Sequence, residues 1–278
     1  MLDKLICNDK ILSLSNPVIM GILNIGSESF FDGGLYNNVT LAMDRAKQMV
    51  EDGALIIDIG AESTKPNASK LSLDTELEIL QNIVPSLVKE FENTNIVISI
   101  DTYKYQTMQK MLDIGVDMIN DIYGFRHENS QKIVSQYNCA VCTMHMQNEP
   151  YNMQVNPQYE NPIQEIKKFL YNSAKSLISN GVDSNRVVID PGFGFGKNLE
   201  HNIEILKNFN EFNTLGYATL SGLSRKSFLG LITNNTIENR LIDSVTGALI
   251  SVQKGANIVR VHDVKSTNDA LKIYNRIK

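Results

Sequence analysis

Ile96-Val97-Ile98-Ser99-Ile100-Asp101 is the stretch from which the fold can be read. A short, mostly β-branched apolar run stops at a carboxylate. It is too short for a surface helix and too apolar for a strand with one wet face, so it predicts a parallel strand buried on both sides. The pattern recurs. Val18–Leu23 stops at Asn24, Leu55–Ile59 at Gly60 and Val187–Ile189 at Asp190. Eight such strands are predicted, at 18–23, 55–60, 96–101, 117–122, 139–145, 186–190, 217–222 and 257–262. Segments with helical spacing lie between them. One carries Leu41, Arg45, Ala46, Met49 and Val50 and closes at Gly53; another carries Val245, Leu249 and Val252 and closes at Gly255. Ser72 is a predicted N-cap for 73–91, where Pro85 should kink or restart the helix. The last helix is expected to begin near Ser266.

Strand and helix alternate from end to end, which places the chain in the α/β class. A (β/α)8 TIM barrel is predicted, as a single domain over residues 1–278. A doubly wound open sheet has a similar element count. The barrel is preferred because every strand is followed by a helix and no antiparallel edge is evident. A parallel barrel carries its chemistry at the carboxyl ends of its strands, so the residues that stop the runs are the place to look.

Composition narrows the partners. The net charge is −5 and the pI about 5.5, which gives no basic footprint for nucleic acid. No run approaches the ~18 apolar residues of a membrane helix, and residues 1–10 have no signal-peptide core. The three cysteines, Cys7, Cys139 and Cys142, are an odd and low count that fits a reducing cytosol. Cys139 and Cys142 have CxxC spacing, but on a strand their thiols face opposite sides. Small molecules and a second copy of the chain are the expected partners.

The stopping residues form a chemical set. Asp101, Asn120 and Asp190 would bring two carboxylates and an amide into one pocket, able to meet the edge of an amino-pyrimidine. The same residues could instead cap helices or bind loop amides. Asp190-Pro-Gly-Phe-Gly-Phe-Gly196-Lys197 is neither a phosphate-binding Walker loop nor a dinucleotide fingerprint. It reads as a carboxylate beside a glycine-thin, Phe-lined wall or as a tight turn. Arg225 and Lys226 follow the seventh strand, where Lys226 could offset the carboxylates. Arg260 and His262, two apart on the eighth strand, share a face next to a helix N-terminus, which suits an anion. Asn24 offers a hard amide oxygen to Mg2+. His145 reads as structural. The loops 26–38 and 61–70 are long enough to be binding loops.

With those residues in view, the chain resembles the dihydropteroate synthase family over nearly its whole length. The resemblance rests on Met20-Gly-Ile-Leu-Asn24, Ser29-Phe30, Asp32-Gly-Gly34, Glu62-Ser-Thr64, Ser99-Ile-Asp101-Thr, Ile119-Asn-Asp121, Met144-His-Met146, Asp190–Lys197, Ser224-Arg-Lys226-Ser and Arg260-Val-His262-Asp. It implies a (β/α)8 barrel, usually a homodimer, in the folate pathway that sulfonamides inhibit. The implied reaction joins 6-hydroxymethyl-7,8-dihydropterin pyrophosphate to p-aminobenzoate and releases pyrophosphate.

By that resemblance Asp101, Asn120, Asp190 and Lys226 hold the pterin, with Met144 and Phe195 at its faces. Thr64, Asn24 with Mg2+, Arg260 and His262 hold the pyrophosphate. Phe30, Ser63, Lys65, Pro66 and Ser227 shape the p-aminobenzoate site. Catalysis would fall to Asp190, Lys226, Asp101, Arg260 and His262. The chain departs from the family pattern at Gly26, Ser27, Glu28, Lys65 and Asn67, so altered p-aminobenzoate or sulfonamide affinity is expected. The competing readings are a pterin-binding paralogue without synthase activity, a corrinoid-type pterin-dependent methyltransferase and a phosphate-binding barrel isomerase.

Overall fold

The computed structural model describes residues 2–26, 39–62, 70–149 and 152–277. It opens with a hairpin, β1 (Lys4–Cys7) and β2 (Lys10–Ser13), paired antiparallel. The chain then alternates: β3 (Val18–Asn24), α1 (Val39–Glu51), β4 (Ile56–Gly60), α2 (Leu73–Glu90), β5 (Val97–Asp101), α3 (Tyr105–Ile114), β6 (Met118–Asp121), α4 (Glu128–Val134) and β7 (Ala140–Met144). It continues with α5 (Pro162–Ser179), β8 (Val187–Asp190), α6 (Leu199–Lys207), α7 (Asn210–Asn213), β9 (Ala218–Ser221), α8 (Ser227–Thr233), α9 (Leu241–Gln253), β10 (Ile258–Val261) and α10 (Val264–Ile277). Strands β3 to β10 pair in parallel and close into a barrel, β10 returning to β3. The open-sheet alternative is thereby excluded.

Each barrel strand falls within about one residue of its predicted span. Three readings need correction. The helix through Pro85 does not restart, for α2 is one helix with Pro85 inside it. The bond that Pro85 cannot make would go to the Gln81 carbonyl. Both residues lie on the exposed face, where water can replace it. Ser72 does cap α2, accepting from Thr75 N at 3.1 Å. In α1 the buried stripe is Ala42, Ala46 and Met49, and Leu41 faces out. The last helix starts at Val264, slightly earlier than expected.

The core has two parts divided by the barrel wall. Outward residues such as Ile57, Ile98, Ile119, Val141 and Ile189 pack under the helices. Inward residues Val18, Met20, Ile56, Val97, Met118, Ala140, Val188, Leu220 and Ile258 form a second cluster with Leu5, Cys7, Leu12 and Leu14 of the hairpin. The hairpin therefore plugs the amino-terminal end of the barrel. It is fastened by buried Lys10, which donates to Asp117 Oδ2 at 2.8 Å and to the Ile96 carbonyl at 2.7 Å. Cys139 and Cys142 fall in different clusters, on opposite faces as expected, and burial pushes both thiols well above their ordinary pKa. Among the described residues no helix is long and apolar enough to cross a membrane.

Candidate active site

Moving along each strand in steps of two residues turns the barrel interior from apolar to polar. Ile56 is followed by Asp58, Val97 by Ser99 and Asp101, Met118 by Asn120, Val188 by Asp190, and Ile258 by Arg260. The polar layer sits directly above the plug, at the carboxyl ends of the strands.

Asp58 organises it, a residue that lies inside the apolar run Ile56-Ile57-Asp58-Ile59 and was not singled out from sequence. It is fully buried. Ser99 Oγ donates to its Oδ1 at 2.6 Å, while Asn120 Nδ2 donates to Oδ2 at 3.1 Å and Arg260 Nε at 2.6 Å. The other side-on donor of the guanidinium, Nη2, reaches Asp101 Oδ2 at 2.6 Å. Arg260 is thus shared between two carboxylates, where the sequence placed it at an anion site with His262. Burial lowers the Arg260 pKa, but Asp58 and Asp101 outweigh it and raise the net value. Burial, opposed by Arg260 and aided by the charge on Asp58, lifts Asp101 to about 7.

Asp190 ends β8, Lys226 follows the neighbouring β9, and each feels the charge of the other. The Asp190 pKa is raised by burial and opposed by Lys226. Its Oδ1 accepts from Gly192 N at 2.7 Å, so the turn and the pocket use one carboxylate. Gly222 leaves room there, since a Cβ on it would lie 3.6 Å from Asp190 Oδ2. Lys226 Nζ donates to the Phe193 carbonyl and lies 4.4 Å from the Phe195 ring centroid. Burial brings it down to about 7 against the pull of Asp190. Arg225, its neighbour in sequence, turns away and forms a two-point ion pair with Asp263 at 2.8 and 3.0 Å. The paired cations therefore serve two different purposes.

The glycine loop after β8 divides its aromatics. Phe193 is fully buried and stacks between Phe209 and Phe228, with centroids 6.2 and 5.8 Å away. Phe195 is half-buried and joins Met144, Met146, Ile122 and Met153, with Tyr103 and Tyr123, in an apolar wall above the polar layer. Gly192 is in the left-handed region at φ +69°, and a Cβ on it would lie 2.0 Å from the His145 carbonyl oxygen. Lys197, which closes the motif and was given no role of its own from sequence, turns into the loop. Its Nζ gathers the Gly192 and Phe195 carbonyls at 2.8 and 2.9 Å and lies 3.0 Å from His145 Nδ1. Burial holds His145 well below its usual pKa, in keeping with the structural role read for it.

His262 Nδ1 lies 3.0 Å from Ser224 Oγ, near the start of α10. Asn24 ends β3, and Gly60 beside it keeps space open: a Cβ there would lie 3.6 Å from both Asn24 Oδ1 and Asp101 Cβ. Among the described residues no group of three His, Cys, Asp or Glu could hold a metal ion. Ser227 begins α8 and is exposed. Phe30, Ser63, Thr64, Lys65 and Pro66 lie outside the described residues, as do Ser27, Glu28 and Asn67. Asp121 points outward and accepts from Tyr123 N and Phe125 N at 2.8 and 2.9 Å, a loop-capping role.

Chemically, the pocket offers an acidic and amide floor, a cation under an aromatic ring and an apolar wall. That suits a flat heterocycle with several donors and acceptors on its edge. The family model described as pterin binding enzyme matches residues 20–262. The dihydropteroate synthase of Haemophilus influenzae is 43% identical over 271 residues, covering 98% of each chain. Among solved structures, the Yersinia pestis dihydropteroate synthase with a sulfonamide drug complex superposes with TM-score 0.92 at 37% identity, covering 98% of each chain. The Burkholderia cenocepacia enzyme complexed with 7,8-dihydropteroate gives TM-score 0.88 at 37% identity, covering 99% of this chain and 96% of that one.

Proposed function

The chain belongs to the dihydropteroate synthase family of pterin-binding enzymes, and from that membership we infer how its site works. It is a transferase that condenses 6-hydroxymethyl-7,8-dihydropterin pyrophosphate with p-aminobenzoate to give 7,8-dihydropteroate and pyrophosphate. The observation that carries this reading is the polar layer. Asp101 of β5, Asn120 of β6, Asp190 of β8 and Lys226, just before α8, come from the carboxyl ends of the strands or the loop beyond, Lys226 feels the charge of both Asp190 and Asp101, and Met144 and Phe195 share an apolar cluster at that end.

In our assignment Asp101 and Asp190 accept from the donors on the pterin edge, Asn120 meets it with its amide, and Lys226 donates to its carbonyl. The C–O bond breaks as pyrophosphate leaves with its electron pair, the arylamine nitrogen attacks the positive pterin methylene, and the new C–N ammonium releases one proton to solvent. Buried Asp190 stabilises the developing cation more strongly than a solvated carboxylate would. His262 and the amino end of α10 favour the departing anion, and Arg260 adds its charge. Ser227 at the start of α8 would lie at the p-aminobenzoate side, with Phe30, Ser63, Lys65 and Pro66 from the two long loops and Thr64 toward the pyrophosphate.

Mg2+ is proposed as cofactor. Asn24 would be its protein ligand, with diphosphate oxygens and waters completing the shell, a pattern usual for this ion. Bound there, it would offset charge on the leaving group.

A homodimer in the cytoplasm is proposed as the working form. α9 buries small residues, Gly247, Ala248 and Ser251, against the barrel and turns Leu241 and Ile242 outward. With exposed Leu231 and Ile232 of α8 they form an apolar face that suits a second copy. Asp243 ties the two helices together by accepting from Thr233 Oγ1 and Asn235 Nδ2.

The test is pyrophosphate release with Mg2+ and both substrates, each omitted in turn, with dihydropteroate identified as product. Asp190→Ala is expected to lower the rate at least about 100-fold. Pterin binding without dihydropteroate would instead favour the paralogue reading.

A further inference from the structure

We infer that Asp58 is a positioning residue for the condensation, holding the Arg260 guanidinium through Nε while Asp101 is taken up by the pterin. This rests on the function read above. Asp58 is wholly shielded from solvent and both its oxygens are occupied by the protein, by Ser99 on one side and by Asn120 and Arg260 on the other. It cannot touch substrate. Any effect it has on the reaction must pass through a neighbour.

Two neighbours face the ligand. Asn120 is one; its amide nitrogen on Asp58 fixes the flip of the side chain and turns its oxygen away from Asp58. Arg260 is the other. Its two carboxylate partners differ in a way that matters. Asp101 is at the last position of β5 and partly exposed, whereas Asp58 lies one inward step deeper on β4. Ring donors of a bound heterocycle can compete for Asp101 but cannot reach Asp58. When they do compete, the Nη2 bond to Asp101 is weakened and the Nε bond to Asp58 remains. Nη1 takes no partner among the described residues, so the end-on edge of the guanidinium is the part offered to an anion. Without Asp58 the guanidinium would swing on its flexible stem just when Asp101 lets go.

Ser99 completes the device. Its 2.6 Å hydroxyl bond sets the plane of the Asp58 carboxylate, and the two residues are register partners on adjacent strands. The support is therefore rigid strand rather than loop, the condition under which positioning is effective.

The experiment is a double-mutant cycle on the full chain with Mg2+ and both substrates, joining Asp58→Asn and Arg260→Ala. Asp58→Asn is expected to lower kcat about 100-fold, the loss typical of a misplaced catalytic group. KM for p-aminobenzoate should hardly change. In the Arg260→Ala background the same substitution should cost almost nothing further. Free guanidinium should restore part of the Arg260→Ala activity while Asp58 is present and none after Asp58→Asn. An equal loss in both backgrounds, or guanidinium rescue that ignores Asp58, overturns the inference.

If Asp58→Asn does not fold, Ser99→Ala serves in its place. It removes only the orienting bond and should reduce kcat in the parent and not in Arg260→Ala; equal reductions overturn the proposal. A parent protein that makes no dihydropteroate defeats the functional reading instead. Calorimetry with inorganic pyrophosphate then decides the matter for Asp58. Binding about tenfold weaker in Asp58→Asn supports the tether, and unchanged affinity overturns it.

Discussion

Lys226 is held near neutrality by its surroundings, and this gives it two measurable consequences. Burial lowers its pKa to about 7, while Asp101 is lifted to about 7. The charged groups acting on the pair are Arg260, Asp58, Asp121 and Glu76 on Asp101, and Asp190 and Arg260 on Lys226. Pterin binding needs Asp101 as carboxylate, gained as pH rises through 7, and Lys226 as ammonium, lost over the same range. Affinity of the free enzyme for a pterin should therefore pass through a narrow maximum near pH 7. Lys226→Arg, which stays charged, should hold up the alkaline limb; calorimetric titration across pH 5.5–9 would show a symmetric bell in both proteins if this is wrong. The second consequence concerns stability. A lysine whose pKa falls on folding penalises the native state fully below pH 7, and the penalty shrinks toward pH 10.5 because the unfolded chain keeps its proton. Stability should thus rise across that window, by up to about 1.4 kcal/mol per pH unit from this group. Urea unfolding of Lys226→Met, compared with the parent at several pH values, should lack that slope.

Single residues were legible in sequence where they stop a strand. Asp101, Asn120, Asp190 and Arg260 were found in that way. Asp58 was not, because it sits in mid-strand between isoleucines. The signal was nevertheless present: a lone carboxylate inside an apolar run must be paired. Gly26 gives another lesson. From sequence it is a departure from the family pattern that bears on p-aminobenzoate affinity, yet a Cβ at this position would lie 1.9 Å from the Ala61 carbonyl oxygen. The residue marks a close crossing of the two loop bases, which only the fold could reveal.

Elements repeat the contrast. The eight barrel strands were legible because parallel strands buried on both sides carry an unbroken apolar signal. The amino-terminal hairpin was not. Its strands are four residues each, with Ile11 facing out and a lysine facing in. Lys10 looks like a surface residue until Asp117 is placed opposite it. Asp117 also accepts from Ile98 N at 2.8 Å, so the ion pair joins the plug to the barrel wall. Lys10→Ala leaves a buried carboxylate without its cation and should cost about 3–5 kcal/mol, read as a lower denaturant midpoint. The plug lies at the opposite end from the site, and kcat should stay unchanged at temperatures where the variant is folded.

At the scale of the molecule, α9 defied its sequence pattern. The predicted stripe of Val245, Leu249 and Val252 is only partly turned inward, and small side chains face the barrel instead. A helix that packs its small face and shows its large one awaits a surface to cover it. Ile242, 71% exposed, stands on that face. Ile242→Glu should shift the protein from dimer to monomer in light scattering, with little change in the unfolding midpoint of the isolated chain. Scattering that reports a monomer for the parent would remove the dimer from the proposal.

The plug has a consequence in time. Its fastenings are to residues 96–140: Asn8 N to the Asn138 carbonyl, Lys10 to Asp117 and Ile96. The pore it stoppers is closed only when β10 pairs with β3. During synthesis the hairpin leaves the ribosome ahead of every barrel strand and must wait for the last of them before it can settle. The hairpin is thus made first and seated late, and a nascent chain spends most of its elongation with Leu5, Leu12 and Leu14 still in search of a roof.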